Sequence, residues 1–257
     1  MSKREPNYIE ESGPFSDEYW LRKTVFTSFD SSLLGLKDIL KERETFEAIA
    51  VILDLKDFTT FCDQRDPHHE VPQFIDAFLT WLFGKIAEEL FDRDEGDHVV
   101  LWSHLPIFGK FLGDGVLFLW DAADLSSAAK QVIVEIFDII CAGYETELFT
   151  ALRQNFTNPP TKLRCGIAQG QVTSIANGKD YVGLCINIAA RLQKLGDGAF
   201  SFAFTRKGLD EPGVPTWERD FKLIKIGIRG VTNRESVFVL KREFRKLTKE
   251  ERHRLRN

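Results

Sequence analysis

Two aspartates stand where carboxylates could hold metal ions. Asp54 closes the apolar run of residues 47–55 (EAIAVILDL), and Asp114 lies in the Gly-Asp-Gly of residues 113–115, between two further apolar runs. A carboxylate at the end of a buried strand costs free energy unless something pairs with it. Hard divalent cations prefer oxygen ligands, and Mg²⁺ is often held by one or two carboxylates plus phosphates. If the two strand ends are neighbours, the pair predicts a two-metal site for phosphate chemistry, although Gly-Asp-Gly alone is also typical of an ordinary turn.

Two further features suit a phosphorylated ligand. Thr59 and Thr60 follow Phe58 and open a predicted helix, so the loop of residues 55–60 could offer backbone N–H groups to a phosphate. A Thr at a helix start is more often a cap. Asn187 and Arg191 are four residues apart, which places them on one helix face. An amide beside a fixed guanidinium suits a sugar and a phosphate, whereas a surface Asn and a solvated Arg are the commoner explanation.

Hydrophobic periodicity predicts the elements that must position these residues. Strands are expected at residues 47–55, 99–105, 163–167, 199–205, 221–226 and 236–240, with a hairpin at 108–120. Helices are expected at 16–23, 31–44, 72–91, 122–156 and 185–195, and turns at 56–57 and 181–183. The central order β-α-β-β-α-β predicts an α+β fold of the ferredoxin-like type.

No internal repeat or linker divides the chain, so we expect one main domain with two attachments. The domain spans residues 45–240, after a helical extension at 1–44 and before a tail at 241–257. The tail carries eight basic and three acidic residues, and the chain as a whole carries a net charge of −5, so residues 1–240 sum to −10. This balance argues against nucleic acid as the main partner.

Composition is that of a globular protein. The 257 residues are 43% apolar and 28% charged, which excludes a disordered chain and a membrane bundle. The four cysteines show no CxxC spacing, which predicts reduced, buried thiols. The charged N-terminus lacks the apolar core of a signal peptide, and no apolar run reaches the length of a bilayer span, so a cytoplasmic location is expected.

Four separated segments together resemble the catalytic domain of class III nucleotidyl cyclases, in the right order and with matching internal spacing. The segments are residues 52–59 (ILDLKDFT), 110–116 (KFLGDGV), 163–167 (LRCGI) with Gly170, and 180–192 (DYVGLCINIAARL). The resemblance covers roughly residues 45–240. It implies an enzyme, a phosphorus–oxygen lyase that converts a nucleoside triphosphate into its 3′,5′-cyclic nucleotide and pyrophosphate.

The resemblance also implies a metal site. Asp54 and Asp114 match the family's metal-binding aspartates, with Leu55 beside them, and the expected cofactors are two divalent ions, Mn²⁺ or Mg²⁺. Asp57 departs from the family, which normally has Gly there in the loop around the triphosphate. We expect its side chain to face outward, because a third carboxylate would repel phosphate.

Substrate contacts are implied at a second group of positions. Asn187 and Arg191 match the residues that orient the ribose and stabilise charge on the phosphate. Arg229 falls where the family usually has a Lys on the terminal phosphates, and Lys110 and Asp180 match the two base-reading positions. In this family the metal aspartates come from one subunit and the other residues from its partner, which implies a homodimer with two shared sites.

The resemblance does not determine which nucleotide base the enzyme would recognise. Lys110 and Asp180 are the pair usual in adenylate cyclases, whereas guanylate cyclases usually have Glu and Cys. A Lys donor and an Asp acceptor leave ATP, CTP and UTP open. A short cyclase with an N-terminal extension resembles the pyrimidine cyclases of bacterial Pycsar anti-phage systems, whose cyclic UMP or cyclic CMP switches on a separate effector. Phe108, Phe111 and Tyr181 could narrow the pocket, so UTP is favoured, then CTP, then ATP. The alternative from another class is a degenerate, non-catalytic nucleotide-binding module.

Overall fold

The computed structural model describes residues 11–12, 19–20, 44–64, 67–175, 178–209, 217–228, 230 and 232–255. The strands are β1 (Glu11–Ser12), β2 (Tyr19–Trp20), β3 (Thr45–Leu55), β4 (Phe91–Glu95), β5 (His98–Leu101), β6 (Phe108–Phe111), β7 (Gly115–Asp121), β8 (Leu163–Ile175), β9 (Asp180–Gly183), β10 (Phe202–Thr205), β11 (Phe221–Ile228) and β12 (Thr232–Leu240). The helices are α1 (Phe58–Cys62), α2 (Pro67–Leu90), α3 (Ser127–Gly143), α4 (Phe149–Leu152), α5 (Leu184–Leu192), α6 (Leu195–Gly198), α7 (Lys241–Lys246) and α8 (Lys249–Arg254).

The main sheet runs in the order β11-β12-β10-β8-β3-β7-β6, and β9 pairs with β8. Within it, β3, α2, β6, β7, α3 and β8 form the predicted βαββαβ core. The spatial order β8-β3-β7-β6 places the fourth core strand beside the first, then the third and the second. This confirms the ferredoxin-like α+β fold.

Strand β3 is buried on both faces of this sheet. Ile49, Val51 and Leu53 belong to the main apolar cluster, together with Phe78 of α2 and Phe137 of α3. Because side chains alternate along a strand, Asp54 points to the opposite face of the sheet. The burial of β3 on both faces explains why its sequence is a continuous apolar run.

Helix α5 packs on that second face. A Cβ at Gly166 of β8 would lie 2.0 Å from the carbonyl oxygen of Ala189 and 2.8 Å from the amide nitrogen of Gln193. Only glycine therefore allows the helix to approach so closely. This contact holds α5, and with it Asn187 and Arg191, against the strand next to β3.

The chain divides into two compact units, residues 46–172 with 183–257 and residues 1–45 with 173–182. In the smaller unit β1 and β2 pair antiparallel. The backbone N–H of Glu44 donates to Ser174 Oγ at 2.9 Å, and the hydroxyls of Thr45 and Thr173 are 2.9 Å apart.

Several predicted elements differ in the structure. Residues 19–20, predicted as helical, form β2 because they pair with β1. Residues 181–183, predicted as a turn, belong to β9, where Gly183 lies so close to the carbonyl of Gln171 that a Cβ would be 2.5 Å from its oxygen. The helical stretch predicted at 31–44 lies outside the described residues, except for Glu44.

The predicted start and end of helix α2 were also wrong. Helix α2 begins at Pro67 with Pro72 inside it, so this proline does not mark the start. Residues 91–95, placed at the helix end or beyond it, form a hairpin with β5 instead of continuing the helix. These strands are mostly exposed and turn at Gly96 (φ 66°), so their sequence lacks the apolar alternation of a buried strand.

The long helix predicted at 122–156 is shorter and interrupted. It begins after Ser126, whose side chain accepts a hydrogen bond from the N–H of Ala129, and a π-helical turn at Tyr144–Leu148 divides α3 from α4. The buried Tyr144 hydroxyl donates to the carbonyl of Pro160 at 2.7 Å, which ties this turn to the approach of β8. Among the described residues, no helix is both long and apolar enough to cross a membrane.

Candidate active site

The two predicted metal aspartates lie together at one edge of the sheet. Asp54 is opposite Gly115 in the β3–β7 ladder, and the N–H of Leu55 donates to the carbonyl of Asp114 at 2.8 Å. Asp54 is buried (3% exposed) and Asp114 is half-buried. The structure therefore brings the two carboxylates to the edge that the strand pattern predicted.

The glycines around Asp114 fix this approach. Gly113 has φ 98°, a conformation that favours glycine in the turn. A Cβ at Gly115 would lie 1.8 Å from the carbonyl oxygen of Leu53, so any side chain there would force β7 away from β3. Gly-Asp-Gly thus forms an ordinary turn, and the same turn places Asp114 beside Asp54.

Two positively charged side chains, Arg164 and Lys194, lie next to the carboxylate of Asp54. The Arg164 guanidinium donates from Nε to Asp54 Oδ2 at 2.9 Å and also bonds that oxygen through Nη2. Lys194 Nζ lies 3.9 Å from the other oxygen, Oδ1. Burial raises the pKa of Asp54; the hydrogen bond and charge of Arg164 oppose this, and the negative charge of Asp114 adds to it.

Asn187 and Arg191 share the outer face of α5, as their spacing predicted. Both side chains are exposed, and Leu184 on the same face is 55% exposed. In the part of the chain that the structure describes, no hydrogen bond or ion pair joins either residue to Asp54 or Asp114. The candidate site has two parts, or half-sites: an aspartate edge and a helix face.

A cavity of about 770 Å³ lies beside the second half-site. Arg191 and Lys194 line it together with Ile228 of β11 and Leu247 and Glu251 of the C-terminal segment. Arg229, predicted to bind the terminal phosphates, follows Ile228 directly but lies outside the described residues. The C-terminal tail is helical, and Leu247 is buried, so part of it packs on the domain.

The loop after β3 contains Asp57 and leads to the two positions predicted to face the triphosphate, Phe58 and Thr59. Asp57 adopts a left-handed conformation (φ 66°, ψ 16°) that favours glycine, and Asp tolerates it better than most residues. Its side chain is exposed, as predicted. Thr59 is exposed, whereas Phe58 is buried among Phe61 and Phe74, so only the backbone of Phe58 is available to a phosphate.

The two positions predicted to read the base, Lys110 and Asp180, belong to different units. Lys110 is exposed on β6, opposite Leu117 of β7. Asp180 belongs to the smaller unit, where its Oδ1 accepts a hydrogen bond from the N–H of Tyr181 at 2.9 Å. Strand alternation places Phe108 on the same face of β6 as Lys110 and Phe111 on the other face.

Sequence reasoning missed Arg164 and Lys194. Arg164 lies in the segment LRCGI, where a charged residue interrupts an otherwise apolar strand, and this was the available signal that it needs a partner. Lys194 carries no comparable signal, because an exposed lysine after a helix is ordinary. Only the tertiary structure brings both to Asp54.

The donor set suits magnesium-type ions that are held jointly with a substrate. Asp54 and Asp114 supply carboxylate oxygens at one edge, which matches the preference of hard cations. Among the described residues, no group of three or more His, Cys, Asp or Glu could hold a metal ion. The remaining ligands would therefore be backbone carbonyls, such as that of Leu55, and substrate phosphates.

Solved structures share this fold, although no protein-family model and no curated protein matches the sequence. A bacterial light-regulated adenylyl cyclase is 18% identical, with a TM-score of 0.51 over 82% of this chain, which spans 56% of that protein. The catalytic core of a rhodopsin-guanylyl cyclase with converted specificity, in complex with ATPαS, is 15% identical, with a TM-score of 0.52 over 77% of this chain and 98% of that one. The non-canonical dimeric guanylyl cyclase domain of the RhoGC fusion protein from the aquatic fungus Blastocladiella emersonii is 13% identical, with a TM-score of 0.50 over 77% of this chain and 97% of that one. The chain thus has the fold of adenylyl and guanylyl cyclase catalytic domains.

Proposed function

We propose that this protein is a nucleotidyl cyclase that converts a pyrimidine nucleoside triphosphate into its 3′,5′-cyclic nucleotide and pyrophosphate. The observation that carries the proposal is the meeting of Asp54 and Asp114 at one edge of the sheet, joined by the 2.8 Å Leu55–Asp114 hydrogen bond. A second support is the exposed pair Asn187 and Arg191 on one face of α5. Fold alone would be weak support, because one fold hosts many functions.

The proposed reaction is intramolecular. The ribose 3′-hydroxyl gives up its proton to water, and its oxygen attacks the α-phosphorus in line. The bond from that phosphorus to the pyrophosphate oxygen breaks, so the electron pair leaves with pyrophosphate. Two divalent ions, Mn²⁺ or Mg²⁺, held by Asp54, Asp114 and the Leu55 carbonyl, would supply Lewis acidity to the 3′-hydroxyl and the phosphates. Asn187 orients the ribose, and Arg191 offsets the charge that develops on the phosphate.

Two copies of the chain would complete each site. The aspartate edge of one copy would face the α5 face of the other, so that Asn187 and Arg191 act in trans. Exposed apolar residues flank both half-sites: Phe111 and Leu112 precede the Asp114 turn, and Leu184 precedes Asn187. Such residues are typical of the core of a protein interface, which supports a C₂ homodimer with two shared sites.

Substrate contacts complete the proposal. Lys110 and Asp180 would read the base edge, Arg229 would bind the terminal phosphates, and the backbone at Phe58 and Thr59 would face the triphosphate. UTP is favoured, then CTP, because Phe108 lies on the Lys110 face and can narrow the pocket against purines. ATP is the alternative, since the same donor and acceptor also fit adenine.

The proposed biological role is a second messenger in anti-phage defence. It rests on the resemblance to Pycsar pyrimidine cyclases, in which a separate effector protein reads the cyclic nucleotide. The enzyme would act in the cytoplasm, where nucleoside triphosphates are available.

A non-catalytic nucleotide-binding module is the second candidate, and one observation favours it. Arg164 already pairs with Asp54, as in a protein in which a permanent cation has replaced the metal. Such a module would bind nucleotide without turnover.

The deciding experiment incubates the protein with each of the four NTPs and Mn²⁺ and identifies the products by mass. Dominant cyclic UMP or cyclic CMP supports the pyrimidine proposal, and dominant cyclic AMP replaces it with the adenylate alternative. Nucleotide binding without any cyclic product in all four reactions would establish the binding module. Asp114→Asn is the matched negative control, because it removes one carboxylate and keeps the shape of the side chain.

A further inference from the structure

Two basic side chains of different exposure lie beside Asp54, one near each of its carboxylate oxygens. Arg164 is 13% exposed and bonds Oδ2 through two nitrogens. Lys194 lies 3.9 Å from Oδ1, and its side chain is 60% exposed. The first cation is therefore fixed by packing and a forked hydrogen bond, whereas the second ends a flexible, hydrated chain that can move at little cost.

These charges balance at the aspartate edge. Asp54 and Asp114 carry two negative charges, and Arg164 and Lys194 carry two positive ones. A divalent ion that arrives alone meets a neutral edge and, among the described residues, no cluster of three acidic, His or Cys ligands. An ion that arrives with a triphosphate brings both negative charge and oxygen ligands with it.

We infer, on the basis of the proposed function, that Lys194 is a positioning residue that couples metal binding to nucleotide binding. In the nucleotide-free protein its ammonium occupies the Oδ1 side of Asp54 and repels a divalent cation. When the metal–nucleotide complex arrives, the ammonium moves from Asp54 to the phosphates, while Arg164 keeps Oδ2 in place. Lys194 also lines the 770 Å³ cavity, so open space lies beside its side chain into which the ammonium can move.

Mn²⁺ binding to the nucleotide-free protein tests this inference without turnover. The free Mn²⁺ signal in electron paramagnetic resonance would be followed during titration of wild type, Lys194→Met and Lys194→Arg. Removing a charge a few ångströms from the ion should tighten Mn²⁺ binding by about tenfold in Lys194→Met. Lys194→Arg keeps the charge and should bind as weakly as wild type. Lys222→Met, at an exposed lysine of β11, is the matched control and should also resemble wild type.

Two further measurements locate the effect. Adding Asp114→Asn to Lys194→Met should remove the gain in Mn²⁺ affinity, which would assign that gain to the aspartate edge. In turnover assays Lys194→Met should raise KM for the nucleotide several-fold and change kcat much less, because the lost contact is with the phosphates.

The inference is overturned if Lys194→Met binds Mn²⁺ no more tightly than wild type, or if Lys222→Met gains as much. Failure of the proposed function has a different signature, namely no cyclic product from any NTP. The Mn²⁺ titration is independent of that result, since it requires only the folded, nucleotide-free protein.

Discussion

Asp54 is held between opposing electrostatic effects. Burial favours its neutral form, and the nearby Asp114 acts in the same direction, while Arg164 and Lys194 favour the carboxylate. Asp114 is half-buried, and it takes part in none of the ion pairs found among the described residues. Substitutions at Asp114 therefore test the role of the site with less effect on stability than substitutions at Asp54. Removing the Asp54 carboxylate would leave the charge of Arg164 without its partner.

At the residue scale we predict that Asp114→Asn lowers kcat by at least about 100-fold, because it removes a charged oxygen ligand of the metal ions that would stabilise the reacting phosphate. The fold should persist, since the turn depends on Gly113 and Gly115. Initial rates with saturating Mn²⁺ and nucleotide would measure the loss. Asp97→Asn, in the exposed β4–β5 turn, is the control and should retain the wild-type rate. Equal rates for Asp114→Asn and wild type would exclude Asp114 from catalysis.

A second prediction at this scale concerns Cys185, at the start of α5. Burial raises the pKa of its thiol to about 11, above the ordinary value near 9.0. The folded protein therefore holds this proton over a pH range in which the unfolded chain loses it. Stability should fall as pH rises from about 9 to about 11, by about 2–3 kcal/mol from this group.

Urea unfolding of wild type and Cys185→Ala across that pH range isolates the contribution of Cys185. Other groups titrate equally in both proteins, so wild type should lose more stability than the variant. Parallel losses in the two proteins would show that the Cys185 thiol does not contribute.

At the scale of elements, the site is positioned by close contacts between the backbones of neighbouring elements. Gly115 lets β7 meet β3 beside Asp54, and Gly166 lets α5 lie on β8. A side chain at either position would collide with backbone, which has little room to yield. The site geometry therefore depends on the absence of a side chain at two positions outside the proposed catalytic set.

We predict opposite effects from two Gly→Ala substitutions. Gly115→Ala would place a Cβ 1.8 Å from the Leu53 carbonyl oxygen and should destabilise the fold by about 1–3 kcal/mol or more. Gly84→Ala, in α2, meets no atom within 4 Å and should stabilise the fold by about 0.5–1 kcal/mol through helix propensity. Urea unfolding midpoints would measure both. A stable Gly115→Ala protein would contradict the described β3–β7 contact.

The same elements show what the sequence could predict. The strand at 47–55 and the hairpin around Gly-Asp-Gly were accurate, because buried strands and tight turns leave strong local patterns. Strand β4 was missed because exposed strands need no apolar alternation, whereas β5 (His98–Leu101) overlaps the strand predicted at 99–105. The Arg164–Asp54 pair was missed because its partners are 110 residues apart, and no local pattern encodes such a contact.

At the scale of the whole molecule, the two half-sites lie on separate elements. The aspartate edge belongs to β3 and the β6–β7 turn, whereas Asn187 and Arg191 occupy the exposed face of α5. The proposed shared dimeric site would explain why exposed polar and exposed apolar side chains occur together on that face.

Mixing two inactive variants tests this arrangement. Asp114→Asn and Arg191→Ala should each be inactive alone, because each damages both sites of its own dimer. After mixing and subunit exchange, half of the dimers are mixed and each has one intact site, so about a quarter of wild-type activity should return. Activity that stays at the background level after confirmed exchange would show that the two half-sites do not act in trans.

The exposed face of α5 has a consequence for how output depends on protein level. Under the proposed arrangement a solitary chain carries every required residue yet completes no site. At chain concentrations below the dimer dissociation constant, product formation would rise with the square of the concentration. A twofold rise in expression would then give a fourfold rise in signal, so the abundance of the protein would itself act as a switch.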